Sequence, residues 1–224
     1  MIIHKHESRL FLSLLCVEFS MTPPRTNLKQ DIGEIQTQIL FAALERFQQY
    51  GYGKTTMAEI AADCGMSASN LYRFFENKQD IGAALATDCL GQQRAAIEII
   101  VNNISTNAGK RLEECILAML HHTHHHCSRL PRLVEMVDAI CEHRTDIVIS
   151  HRRSIAELFE ALLRQGEQSG DFTINNLSAA ADAILSATVI FDAPHFMKLH
   201  SLEEFEIIAG NLATLLVNGL QRRT

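Results

Sequence analysis

The sequence predicts an all-α protein of about nine helices, with a small N-terminal three-helix unit followed by a larger helical part. Hydrophobic residues make up 47% of the chain but aromatic residues only 6%, with no Trp, a composition that suits helices packed through Ala, Leu, Ile and Met. Apolar residues recur at intervals of three and four, the period of a helix with one buried face. Only four Pro interrupt the chain, and three of them fall at predicted helix boundaries.

The first helix follows an N-terminal extension. Residues 22–30 contain a Pro-Pro pair, which cannot lie inside a helix, so we assign residues 1–30 to a disordered extension and linker. We expect residues 1–20 to be a disordered tail or to precede a translation start at Met21. The helix then ends near Tyr50, and its apolar face consists of Ile32, Ile35, Ile39, Ala43 and Phe47.

Two short helices follow, joined by a tight turn. Thr56 can cap the first of them, with Glu59 three residues later completing a capping box. Gly65 ends this helix, and Ser67 can cap the second. Asn77 then caps a fourth, longer helix.

The remainder of the chain is also predicted to be helical. Helices are expected near 110–128, 131–143, 146–168, 177–192 and 202–221, with Gly or Pro beside most of the joints. The last of these has the clearest apolar stripe, formed by Phe205, Ile208, Ala209, Leu212, Leu215 and Leu216. We therefore expect two domains, the first from 31 to 91 and the second from 92 to 224.

The two short helices between Ile60 and Phe75 have the plan of a helix-turn-helix, whose second helix enters the DNA major groove. The second helix offers polar groups suited to base edges, since Asn and Arg can make bidentate contacts with adenine and guanine. The candidate base contacts are Ser67, Ser69, Asn70 and Arg73. The candidate phosphate contacts, at helix N-termini or through a hydroxyl, are Thr55, Thr56, Tyr72 and Lys78.

Bulk charge gives no support to DNA binding. The net charge is −6, and residues 21–90 carry six Lys or Arg against eight Asp or Glu, a local balance of −2. A DNA-binding surface must therefore depend on where individual residues lie.

An ordered string of residues resembles the signature of the TetR family of bacterial regulators (TetR/AcrR type). It consists of Gly51-Tyr52, Lys54-Thr55-Thr56-Met57, Glu59-Ile60-Ala61, Cys64-Gly65-Met66-Ser67, Leu71-Tyr72-Arg73-Phe74-Phe75 and Asn77-Lys78. The resemblance is close over residues 34–90. It implies a one-component transcriptional regulator that binds a palindromic operator as a homodimer. We expect repression, because a dimer seated on a promoter blocks polymerase sterically; activation is the alternative. A small-molecule effector in the second domain would release the DNA.

The same resemblance implies that the last two helices pair with their copies in a four-helix dimer interface. By position, the interface residues would be Ala181, Ile184, Phe205, Ile208, Leu212, Leu215 and Leu216. A helical dimerisation protein without DNA binding is the alternative.

A histidine cluster at residues 121–126 permits two interpretations. His122 and His126 are four residues apart on a helix and share a stripe with Cys115, an arrangement that can hold Zn²⁺. Metal-responsive regulation through His121–His126 is therefore an alternative. Otherwise the histidines help to line a mostly apolar pocket for an organic effector, whose predicted lining is Met119, His122, His126, Met136, Phe159 and Phe191. We expect no resident cofactor.

Other classes of protein are not indicated. The six Cys have no CxxC spacing and are typical of reduced thiols in a cytoplasmic protein. No run reaches the roughly 18 apolar residues that a membrane span needs, so we expect no membrane partner. No Glu stands three residues before a His, as a di-iron bundle would require, and HExxH and P-loop motifs are missing, so no enzyme is predicted and no catalytic residue is proposed.

Overall fold

A computed structural model describes residues 28–129 and 132–221, and every regular element among them is a helix. The first helices are α1 (Leu28–Tyr50), α2 (Met57–Asp63), α3 (Ala68–Leu71) and α4 (Lys78–Asn102). They are followed by α5 (Ala108–Arg129), α6 (Leu133–His143), α7 (Thr145–Ser169), α8 (Leu177–Ala187), α9 (Val189–Asp192), a 3₁₀ helix (Pro194–Lys198) and α10 (Leu202–Leu220). The predicted all-α class is confirmed.

The predicted helix caps are present. The Thr56 hydroxyl accepts a hydrogen bond from the backbone N–H of Glu59, whose carboxylate accepts one from the backbone N–H of Thr56 at 2.8 Å. Ser67 and Asn77 cap α3 and α4 with a single bond each, since their side-chain oxygens accept from the backbone N–H groups of Asn70 and Asp80. Gly65, between α2 and α3, adopts a φ of +67°, which an L side chain rarely tolerates.

Two predicted boundaries are wrong. α1 begins at Leu28, so residues 28–30 of the predicted linker are helical, while residues 1–27 lie outside the described part of the chain. The helix predicted at 177–192 is divided at Thr188 into α8 and α9. The buried Thr188 hydroxyl donates to the carbonyl of Ile184 at 3.0 Å, a bond that bends helices because it competes with the backbone.

α5 lies at the centre of the C-terminal helices, where it packs against α4, α7 and α10. Large side chains that are fully buried there include Leu112, Ile116, Met119, Phe159, Phe191 and Phe205. α4 continues without a break through the predicted domain boundary at 91/92. Its residues Ile97 and Val101 belong to the same core. This long helix therefore links the N-terminal helices to the C-terminal core.

Gly166 of α7 lies in close contact with a neighbouring segment. The ring of Phe172 packs directly on this glycine, so a Cβ at position 166 would lie 2.2 Å from Phe172 Cδ2 and 2.9 Å from Ala108 Cβ. Only a hydrogen atom fits at this position. None of the described helices is both long and apolar enough to cross a membrane.

Candidate nucleic-acid interface

The helix-turn-helix of α2 and α3 is held together by a small apolar core. Met57, Ile60 and Ala61 of α2 and Leu71 of α3 are buried. The chain turns between the two helices at Gly65, whose N–H donates to the Ala62 carbonyl at 3.0 Å. Because Leu71 fixes the buried side of α3, the opposite side of this short helix faces solvent.

The solvent-facing side of α3 and the residues just after it are polar. Ser67, Ser69 and Arg73 are exposed, and Tyr72 exposes 51% of its surface. Among the described residues, neither the Tyr72 hydroxyl nor the Arg73 guanidinium makes a hydrogen bond or ion pair. Both groups are therefore available to an external partner.

Three of the other predicted DNA contacts have partners within the chain. The Ser67 hydroxyl accepts from the backbone N–H of Asn70 at 3.2 Å. The half-buried Asn70 amide lies 4.0 Å from the Met66 sulfur. Thr56 remains exposed, although its hydroxyl donates to Glu59 at 2.8 Å. These side chains are held in place before any ligand binds.

Thr55 differs from its predicted role. Its side chain is only 2% exposed, and its hydroxyl donates to the Gly51 carbonyl at 2.9 Å. A hydroxyl enclosed in this way closes the turn between α1 and α2, so the predicted phosphate contact by this side chain is not supported by the geometry. Sequence position placed Thr55 next to a helix N-terminus but did not show which way it points.

Lys78 also binds within the chain. Its ammonium donates to the carbonyls of Tyr52 at 2.6 Å and Thr55 at 2.9 Å, and lies 4.6 Å from the centre of the Tyr52 ring. Partial burial lowers the pKa of this ammonium, while Glu135 and Glu59 oppose the effect. Lys78 therefore fastens the turn at 52–55 to the start of α4.

Replacement of Lys78 by Met is expected to lower the free energy of unfolding by about 2 kcal/mol, because charged hydrogen bonds contribute roughly that much when a buried acceptor loses its donor. Urea denaturation measures the change. Lys54→Met is the matched control, since Lys54 is exposed and makes no such bond among the described residues. Equal effects of the two substitutions would contradict the fastening role.

Part of the acidic surplus near the helix-turn-helix is neutralised by Arg46 of α1. Its guanidinium lies 3.1 Å from the Glu59 carboxylate and 2.6 Å from that of Asp63. Hydrogen bonds from Thr56, and then from Arg46, lower the pKa of Glu59. Two of the acidic groups counted against DNA binding are thus paired with a cation of the same segment.

α6 connects the C-terminal helices to the turn that precedes α2. The Glu135 carboxylate accepts a hydrogen bond from the Gly53 N–H at 3.3 Å, and the Arg132 guanidinium donates to the Gln49 carbonyl. A Cβ on Gly82 of α4 would lie 3.3 Å from the Tyr52 ring and 3.5 Å from Met136 Cγ. We call this contact of α6 with the 49–53 turn and α4 the junction.

Two family models match this chain. Residues 39–85 match bacterial regulatory proteins of the tetR family, and residues 108–208 match the C-terminal domain described as tetracyclin repressor-like. The chain belongs to the TetR family. It is a helix-turn-helix transcriptional regulator, as the resemblance at residues 51–78 implied.

Relatives of known sequence and structure agree with the TetR assignment. The uncharacterized regulator YhgD of Bacillus subtilis is 24% identical over 184 residues, which cover 81% of this chain and 94% of YhgD. A tetR-family regulatory protein from Rhodococcus RHA1 is 27% identical with a TM-score of 0.59, over 85% of this chain and 99% of that one. The fold is also shared by FadR from Bacillus subtilis in complex with stearoyl-CoA, at 19% identity, a TM-score of 0.60, and 83% and 99% coverage.

The residues predicted for the TetR dimer interface fall into three groups. Ala181, Ile184 and Phe205 are buried in the chain's own core, so their assignment to a surface is corrected. Ile208, Leu212 and Leu216 are half-buried against that core. Leu215 is 69% exposed, and Ile207, which was not predicted, is 60% exposed on the same helix.

The predicted effector-lining residues are also separated. Met119, Phe159 and Phe191 are fully buried members of the core, whereas Met136 lies at the junction beside Gly82. The two histidines of the set lie together: the ring centres of His122 and His126 are 4.5 Å apart.

The third residue of the metal-ligand set is not the predicted Cys115. Cys115 is fully buried among apolar side chains, where burial raises the pKa of its thiol to about 12. Cys89 of α4 takes its place, with Sγ 3.4 Å from His122 Nε2. His121 of the same run points elsewhere and pairs with Glu206 at 2.7 Å, whereas the ring of His125 lies 5.6 Å from that of His126.

Three residues with contacts at these sites were missed by sequence reasoning: Arg46, Cys89 and Glu135. Arg46, Cys89 and Glu135 act through partners that are 13 to 82 positions away along the chain, beyond the reach of helical periodicity.

Proposed function

We propose that this TetR-family regulator is a one-component repressor that binds a palindromic operator as a homodimer and is released by a small-molecule effector. The observation that carries the proposal is that the Tyr72 hydroxyl and the Arg73 guanidinium, which follow the capped helix α3, are exposed and make no hydrogen bond or ion pair with the described residues. The helix-turn-helix domain would comprise residues 31–91, and residues 92–224 the regulatory and dimerisation domain.

DNA contact through α3 is supported by its chemistry. Arg73 offers a planar fork for guanine, Asn70 and Ser69 offer shorter polar groups, and the Tyr72 hydroxyl suits a phosphate oxygen. The exposed Lys54 and Thr56 add candidate phosphate contacts at the start of α2. We propose Lys78 as a residue that positions this segment, because its donors already bind carbonyls.

Dimerisation is supported by a partly exposed apolar stripe on α10. Ile207 and Leu215 are highly exposed apolar residues eight positions apart, with the half-buried Ile208, Leu212 and Leu216 beside them. Exposed Ala and Ser on α8 add a flat neighbouring surface at Ala183, Ser186 and Ala187. When two copies of the chain pair about a two-fold axis, the apolar stripe of each copy is removed from water.

Release by an effector requires a path from the C-terminal helices to α3. The junction supplies one, because Glu135 of α6 binds the turn that Lys78 also holds, and Arg132, just before α6, binds Gln49 at the end of α1. Repression requires only that the bound dimer covers a promoter. A relative of the same fold binds stearoyl-CoA, which supports a small-molecule effector as a class.

Operator binding is tested by fluorescence anisotropy with the DNA immediately upstream of the coding region, in excess competitor DNA and over a series of salt concentrations. We expect a discrete complex whose log affinity falls linearly with log salt. Selection from random DNA follows if that fragment is not bound. Failure to enrich any sequence would contradict the proposal and favour a helical dimerisation protein.

Leu215→Glu is expected to convert the dimer into a monomer at micromolar concentration, because two buried copies of the carboxylate would face each other across the symmetry axis. Sedimentation velocity measures the change, and operator affinity should fall with it. Ile99→Glu is the matched control, since Ile99 on α4 is also 69% exposed. A Leu215→Glu protein that remains dimeric would show that another surface forms the dimer.

A further inference from the structure

Three metal-ligating side chains meet between α4 and α5. Cys89 Sγ lies 3.4 Å from His122 Nε2, and the ligand atoms of Cys89, His122 and His126 all lie within 4.8 Å of one another. All three side chains are half-buried. We call these three residues the Cys-His-His cluster.

We propose that the Cys-His-His cluster binds a transition-metal ion of the Zn²⁺ type. Around tetrahedral Zn²⁺, a sulfur and a nitrogen ligand are about 3.6 Å apart, and two nitrogen ligands about 3.4 Å apart, given the usual metal–ligand bond lengths. The Cys89–His122 pair already has this separation. The third ligand needs a movement of about 1 Å, within reach of a change in the side-chain angles of His126.

The donor set also selects the kind of ion. One thiolate and two imidazoles suit Zn²⁺, Co²⁺ or copper, whereas Mg²⁺ and Ca²⁺ prefer oxygen ligands. Burial lowers the pKa of His122 to about 3, so its imidazole is neutral and keeps a lone pair. Burial raises the pKa of Cys89 to about 11, and its thiol proton leaves to solvent when the metal–sulfur bond forms.

Polar groups that can support the ligands surround the cluster. His151 Nε2 donates to Gln93 Oε1 at 2.8 Å, and Gln93 in turn donates to the Asp192 carboxylate at 2.7 Å. Cys127 and Asp192 are close enough to influence the Cys89 thiol. A three-ligand site with a water molecule or Cys127 as the fourth ligand is consistent with this surrounding.

The position of the cluster connects metal binding to DNA binding, a step that depends on the proposed function. Cys89 lies on α4, whose first residue, Lys78, holds the turn before the helix-turn-helix. The two histidines lie on α5, in the C-terminal core. A metal ion bound to Cys89 and both histidines would hold α4 and α5 in one fixed relation, and through Lys78 it would restrict the positions open to α3.

The binding test uses the full-length, metal-free reduced protein titrated with Co²⁺ and then with Zn²⁺. We expect a thiolate-to-cobalt charge-transfer band and a tetrahedral visible spectrum at one ion per chain, both removed by Zn²⁺. Cys89→Ser should abolish the charge-transfer band and His122→Gln should weaken Co²⁺ binding at least tenfold. Cys141→Ser and His143→Gln are matched controls, because both residues are exposed on α6.

Thermal unfolding of each variant without metal shows whether it folds. A folded Cys89→Ser protein that keeps the charge-transfer band, or a wild-type protein without one, would overturn the site. Operator anisotropy with Zn²⁺ and with chelator should differ about fivefold or more in affinity. If Co²⁺ binds normally but the operator affinity is the same with Zn²⁺ and with chelator, the regulatory role alone is overturned. If the protein binds no DNA either with Zn²⁺ or with chelator, the proposed function is contradicted and the metal site is unaffected.

Discussion

Gly166→Ala is expected to lower the free energy of unfolding by about 3 kcal/mol, because overpacking a close-packed interior forces side chains and backbone to shift. The new methyl group would lie 2.2 Å from one ring carbon of Phe172 and 2.8 Å from another, with Ala108 Cβ 2.9 Å away on a second side. Both neighbours are buried, so neither can move without opening the core around α5.

Urea denaturation at a fixed protein concentration, which matters for a dimer, measures the loss as a lower midpoint. Gly91→Ala is the matched control. Gly91 lies on α4 with no atom within 4 Å of its built Cβ, so the substitution should stabilise the helix by about 0.5–1 kcal/mol. Opposite signs for the same chemical change identify packing as the cause. A Gly166→Ala protein as stable as wild type would mean that α7 and the Phe172 segment are farther apart.

Tyr72→Ala is expected to abolish detectable binding to every DNA sequence, whereas Arg73→Ala should mainly reduce the preference for the operator. In the proposed docking, the tyrosine hydroxyl contacts a phosphate oxygen, which carries no sequence information. Arg73 contacts a base edge in the same proposal, and each good bidentate contact provides about 1–3 kcal/mol of discrimination. In a dimer that binds through both subunits, each substitution removes two such contacts.

Anisotropy with the operator and with unrelated DNA separates the two effects. Tyr72→Phe isolates the hydroxyl and should weaken both complexes by a similar factor. Arg153→Ala, which removes an exposed cation from α7, is the charge control and should leave both affinities unchanged. Normal operator affinity of the Tyr72→Ala protein would show that α3 docks differently.

Features set by neighbouring residues were predictable from the sequence. The caps at Thr56, Ser67 and Asn77 involve bonds to residues three positions away, and the turn at Gly65 depends on one residue. The helices and the family signature likewise depend on residues that are close together in the sequence. For this reason the fold class and the helix-turn-helix could be read directly.

Contacts distant in sequence were not predictable. Periodicity shows that α10 has an apolar stripe, but it does not show whether the chain's own core or a second copy covers each residue. Phe205 is buried in the chain's own core, whereas Leu215 is exposed. Likewise His122 and His126 form an obvious pair, but their thiol neighbour comes from a different helix, 33 positions before His122. Such choices depend on tertiary packing.

The unbroken course of α4 has a mechanical consequence. A helix of 25 residues is a rod about 37 Å long, at 1.5 Å of rise per residue. A tilt of about 5° about one end displaces the other by about 3 Å, close to the 3.4 Å between successive base pairs. Half-sites read by paired helix-turn-helices lie about 34–36 Å apart along the duplex, so in the proposed homodimer two such displacements would put both recognition helices out of step with the grooves. A small change in the tilt of α4, made far from the DNA, is then sufficient to decide whether the regulator is bound to its operator or free.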